Sequence, residues 1–144
     1  MISFSNEDTR FQLKQKRQLK NWIGQTVSQH NNQVGDIAFV FCSDEHLLSI
    51  NKQYLNHDTY TDIITFDYTN DHPKNAISGD IFISIDRVKE NAEKFGKTLE
   101  NELQRVIIHG VLHLLGYKDK TKTDKTKMTT AEDVCLMELT KLTK

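Results

Sequence analysis

The chain has little of what interrupts or cross-links a fold. Among its 144 residues there is one proline, Pro73, and only six glycines, so long segments can run without a break. Its two cysteines, Cys42 and Cys135, lie far apart and outside any CxxC pair. That excludes a disulfide-stapled scaffold and a cysteine-based zinc site, and reduced thiols are expected. Neither sign of charge is in excess: 19 Lys+Arg stand against 20 Asp+Glu. Whole-molecule attraction to nucleic acid is therefore not expected, and any RNA contact has to come from a local patch. There is no apolar run of about 18 residues and no charged-then-apolar leader, so neither a membrane span nor a signal peptide is expected. The expected location is cytoplasmic. With no repeat and no low-complexity linker, the length suits one domain over residues 1–144.

One stretch stands out, from Val106 to Asp119. It is aliphatic nearly all round, with no charge before Lys118, so it reads as a buried central helix rather than an amphipathic surface one. His109 and His113 interrupt it four residues apart. On a helix that spacing puts both rings on one face, about 6 Å apart along the axis, where they can grip one ion. The alternative is a pair of core histidines hydrogen-bonded to backbone, and the pattern alone leaves both open. A continuing helix would carry position 119 roughly 240° round and away. Gly116, placed just after the last periodic residue, is a helix stop that lets the chain turn back. Asp119 then becomes a candidate third ligand. Two imidazoles and a carboxylate suit a catalytic zinc with one position open to water. Zinc proteases also use helical histidines at this spacing, but their general-base glutamate is missing because position 110 is glycine.

The run His109-Gly-Val-Leu-His113-Leu-Leu-Gly116-Tyr117 resembles the HGxLHLxGY signature of the YbeY family, metal-dependent endoribonucleases that mature bacterial rRNA. Asn51-Lys-Gln-Tyr54 through Thr61-Asp62-Ile63-Ile64-Thr65-Phe66 is similar to the family's LNxxYRxxDxPTDVLSF block, and Gly79-Asp80-Ile81 to its GDI strand. The resemblance covers about residues 36 to 120. Two positions depart from it. Asp119 stands where the family has its third metal-binding histidine, which shifts preference toward harder ions. Leu55 stands where the family has an arginine that helps catalysis, and a leucine cannot contact phosphate or stabilise developing charge.

Along the chain, Ile2-Ser3-Phe4 reads as a short edge strand. Residues Asp8 to Gln29 read as a helix with an apolar stripe of Phe11, Leu19, Trp22, Ile23 and Val27. Its Lys14, Lys16, Arg17 and Lys20 read as a solvated face. Asp36 to Phe41 is a buried strand, and Ser43 caps a helix that buries Leu47, Leu48 and Tyr54. After a polar loop over residues 56–61 come a strand, Ile63 to Phe66, and an exposed loop, Thr69 to Ser78. Asp80 to Ile85 is the next strand, and Asp86 to Phe95 a helix closed by Gly96. Asp62 and Asp80, at strand starts, are candidates for capping or for orienting a ligating histidine. Thr98 caps the central helix, and a last helix runs from about Asp124 to Leu142, packing through Met128, Ala131, Cys135, Leu139 and Leu142. The fold class is α/β (α+β), with four strands in a small, mostly parallel mixed sheet and about five helices covering it. The resemblance implies one antiparallel edge strand.

Lys118, Lys120 and Lys122, followed by Lys125 and Lys127, form the best phosphate-binding patch, although a lysine-rich loop is ordinarily just soluble surface. The leading expectation is a metal-dependent endoribonuclease acting in 16S rRNA maturation and small-subunit biogenesis. His109, His113 and Asp119 would hold one divalent ion, Zn2+ first, with Mn2+, Fe2+ or Ni2+ as alternatives. rRNA, the small ribosomal subunit and ribosomal or assembly proteins are the expected partners. The alternative is a ribosome-assembly RNA-binding factor with a structural metal, which Leu55 favours. A hydrolase of small substrates or peptides, and a two-histidine-one-carboxylate iron oxygenase, are the remaining readings. Glycine at 110 argues against peptide cleavage.

Overall fold

A computed structural model describes residues 1–142. Four strands form one sheet in the order β1-β2-β4-β3, with β1 Ile2–Asn6, β2 Val34–Cys42, β3 Ile63–Asp67 and β4 Ile77–Ser84. β1, β2 and β4 run parallel, and β3 pairs antiparallel to β4 at the edge. Among the described residues the five α-helices are α1 Lys16–Gln29, α2 Asp44–Leu55, α3 Ile85–Lys94, α4 Leu99–Leu114 and α5 Lys122–Leu142, with a single 3-10 turn at Thr69–Asp71. This is the mixed, mostly parallel sheet expected from the alternation of strand and helix patterns. None of the described helices is long and apolar enough to cross a membrane.

Side-chain alternation gives the sheet two unequal faces. Phe39, Phe41, Ile81 and Ile83 are fully buried on the face under α1, α4 and α5, and with Trp22, Ile107, Ile108 and Leu112 they form the main core. Each such side chain stabilises the fold by roughly 1.5–3 kcal/mol through burial. The Trp22 Nε1–H also donates to the Cys135 carbonyl at 2.8 Å, which joins α1 to α5. On the opposite face α2 covers a smaller cluster of Cys42, Leu47, Ile50 and Ile64.

α4 lies against the sheet because Gly110 lets it. A Cβ built there would stand 3.0 Å from Ile63 Cδ1 and 3.0 Å from Ile81 Cγ2. Position 110 therefore faces strands, and a glutamate would be driven into them. Thr98 caps α4 by accepting from the Asn101 N–H at 3.1 Å, and Ser43 caps α2 through the His46 N–H.

Several boundaries differ from the sequence reading. The helix expected from Asp8 begins only at Lys16, because Gln15 has φ 60°, which a right-handed helix cannot include. Residues 7–15 form a strap. Within it Phe11 reaches the core edge-on to Phe41 at 5.2 Å, and Asp8 accepts from the Ser43 N–H and Oγ–H. β2 and β4 start earlier than expected, at Val34 and Ile77, and Ser84 rather than Asp86 opens α3 as its cap. Tyr54, expected inside, is 62 % exposed: it lies in the last turn of α2, where its ring meets Phe66 edge-on at 5.8 Å.

Candidate metal centre

After Leu114 the chain stops being helical. Gly116 takes φ 103°, a conformation that strains any side-chain-bearing residue, and Tyr117 N–H returns to the Leu112 carbonyl. That reversal brings Asp119 back over the helix. Its Oδ2 lies 3.2 Å from His113 Nε2 and 3.4 Å from His109 Nε2. The two imidazole rings stand 4.6 Å apart between centroids and nearly perpendicular. One donor atom from each of the three residues falls within 4.8 Å of the others, so this group could hold a metal ion.

The far nitrogens decide the chemistry. His113 Nδ1–H donates to the Tyr117 carbonyl at 3.0 Å, and His109 Nδ1–H donates to Glu132 Oε2 at 2.6 Å. Both rings are thus held with Nε2 directed toward Asp119, and a neutral ring that keeps its Nδ1–H would offer the Nε2 lone pair to an ion there. Donor set and tautomers fit a divalent ion with room for further ligands. Glu132, on α5, is buried, and its other oxygen accepts from Arg105 at 2.8 Å. Arg105 also donates to Asp133 at 2.7 Å. Tyr117 is fixed in turn by His30, which caps the end of α1 and whose Nε2 lies 3.1 Å from its hydroxyl.

Electrostatics reinforce this picture. Burial would pull His109 below the ordinary histidine value, but the Glu132 hydrogen bond and the charges of Glu132, Asp119 and Asp62 outweigh it, so the net shift is upward. Burial likewise pushes the Asp62 and Glu102 carboxyls up, against the opposing pull of His109 on the first and Lys97 on the second.

The three groups open into a cleft of about 1050 Å³ running along β3, bordered by Ile63, Ile64, Thr65 and Asp67. Of the lysines singled out in the sequence, Lys120 lines this cleft, and Lys125 joins it from α5. Lys118 borders a separate hollow with Tyr117, and Lys122 starts α5. Leu55 lines the same cleft, 43 % exposed, as does Arg105. Asp62 borders it too, but the carboxylate on His109 is that of Glu132. Asp80 lies elsewhere, in a hollow with Tyr68. Glu132, Arg105 and Glu102 were missed in the sequence. The only signal was three charged residues on the largely apolar packing faces of α4 and α5.

Comparison with known proteins agrees with this geometry. The family model described as Endoribonuclease YbeY matches residues 2–140. The chain is similar to the protein named endoribonuclease YbeY of Cytophaga hutchinsonii, 48 % identical over 135 residues that span 94 % of this chain and 93 % of that one. The protein of the same name from Flavobacterium psychrophilum is 48 % identical over 133 residues, 92 % of each chain. A solution structure of a Thermotoga maritima protein superposes with a TM-score of 0.67 at 26 % identity, covering 96 % of this chain and 89 % of that one. The signature on α4, the sheet order and the matched length all lead to one conclusion: the chain belongs to the YbeY endoribonuclease family.

Proposed function

We propose that this protein is a metal-dependent endoribonuclease that hydrolyses phosphodiesters in single-stranded RNA during 16S rRNA maturation and small-subunit biogenesis. The observation that carries the reading is the convergence of His109, His113 and Asp119 at a cleft of about 1050 Å³ bordered by β3. A divalent ion bound there supplies a Lewis acid that lowers the pKa of water and polarises a phosphate oxygen. The chain's own residues do the rest. His109 and His113 ligate through Nε2, each held by its far nitrogen, and Asp119 contributes the third donor. Lys120, with Lys118, Lys122 and Lys125 around it, offsets phosphate charge. Neither Lys120 nor Lys125 has an ion pair among the described residues, so both ammonium groups are available. They stand in for the arginine that Leu55 replaces.

The ion is Zn2+, which two imidazoles and a carboxylate suit, with Mn2+, Fe2+ or Ni2+ as competitors because of the oxygen donor. Residues 1–144 act as one hydrolase domain, supported by the single sheet and the length of the family match. The partners are rRNA, the small ribosomal subunit and its assembly proteins. Two buried, unpaired cysteines suit the reducing cytoplasm, where this substrate is found.

The test loads purified protein separately with zinc, manganese, iron and nickel and follows cleavage of a labelled single-stranded rRNA fragment. Wild type should cut with at least one ion and lose the cut on chelation, while His109→Ala should lose both about one equivalent of metal and the cleavage. Intact RNA alongside stoichiometric bound metal in wild type would overturn the nuclease reading.

A further inference from the structure

We infer that Glu132 is a positioning residue for the metal centre: from α5, across the helix interface, it fixes the tautomer and direction of His109, so ion affinity depends on it. The inference rests on the metal-site reading above and goes further, by making a residue outside the histidine signature part of the site.

Three observations carry it. Glu132 is 6 % exposed, and a carboxylate so placed needs a partner for each oxygen. It has them, with Arg105 on Oε1 at 2.8 Å and His109 Nδ1 on Oε2 at 2.6 Å. The second distance is at the short end for such bonds, as expected when the acceptor is ionised. Arg105 is itself steadied by Asp133 at 2.7 Å, so Glu132 cannot swing away from the imidazole without breaking an ion pair. A carboxylate behind a ligating histidine selects the Nδ1–H form, leaves the Nε2 lone pair for the metal and raises the ligand's basicity. His113 gets the same service from a backbone carbonyl. A carbonyl carries no charge, so the charged, stronger hold falls on His109 alone. His109 is the ligand whose ring orientation a side-chain substitution can release.

The experiment measures zinc and cobalt(II) dissociation constants of the intact protein by competition with a chromophoric chelator, for wild type, E132A and E132Q. The visible bands of the cobalt form and the His109 Nδ1 proton in NMR are recorded alongside. Removing a carboxylate behind a metal-binding histidine characteristically costs about 10–100-fold in affinity. E132A should show that loss, an altered cobalt spectrum and no slowly exchanging Nδ1 proton. E132Q keeps an acceptor oxygen and should recover part of the affinity. Melting of the metal-free forms separates a folding defect from a site defect. If E132A does not fold, E132Q alone decides: unchanged affinity and bands overturn the inference. E132A binding within twofold of wild type, with unchanged bands, overturns it as well. A wild type that binds neither ion overturns the metal-site reading itself, a different result from the other two.

Discussion

Asp119 sets the character of the candidate metal centre, because it would offer an ion an anionic oxygen beside two imidazole nitrogens. Asp119→Ala should lose most of the bound ion on elemental analysis, with melting of the metal-free protein nearly unchanged, since the side chain is 43 % exposed. Protons compete with the ion at His109. In the metal-free protein its pKa is raised above the ordinary 6.5. Its contribution to stability is therefore fully present below about pH 6.5 and fades as pH rises through the raised value. Ion binding runs the other way, because only the neutral ring ligates. Titrations at several pH values should show affinity falling steeply as the solution is acidified through that window; a flat profile would mean that His109 is not a ligand. The three candidate ligands were legible in the sequence because they share one short stretch, and Gly116 announces the reversal that joins them. Glu132 was not, since its bond to His109 spans 23 residues between two helices, and pairing across a helix interface leaves no local pattern.

Among the elements, α4 is both the centre of the core and the bearer of two candidate ligands, and the close fit at Gly110 connects these roles. Gly110→Ala should lower stability by about 1–3 kcal/mol through overpacking against Ile63 and Ile81, and calorimetry would check it. The same substitution tilts the helix away from β3, so weaker ion binding should accompany the lower melting temperature. Thr98→Ala, at the opposite end of α4, should cost about 1 kcal/mol and leave ion affinity alone. Caps and stops such as Ser43, Thr98 and Gly116 were readable because each needs a particular residue at a particular place. The start of α1 was not. Its apolar spacing continues back through Phe11, but Phe11 is placed by an extended strap, and helical periodicity cannot tell the two apart.

For the whole molecule, the fold class followed from alternating strand and helix patterns, but the strand order did not: β2 sits between β1 and β4 because long-range packing puts it there. One global consequence can be measured through Cys42. Burial pushes its thiol up to about 12, with nearby acids adding to the effect, and Cys135 is also raised by burial. Neither should react with a thiol reagent at pH 8 until the protein is unfolded, whereas labelling of the native form would show that the core opens. By linkage the folded state holds the Cys42 proton more tightly than the unfolded chain does. Stability should therefore decline as pH rises above about 9, the value in the unfolded chain.

The order of elements along the chain bears on when the protein can act. The four strands of the described residues are complete by Ser84, whereas the candidate ligands lie between His109 and Asp119, and Glu132 comes later still. The helices that carry these groups, α4 and α5, also supply buried side chains to the main core. Sealing the core and completing the metal centre are thus a single late event in synthesis.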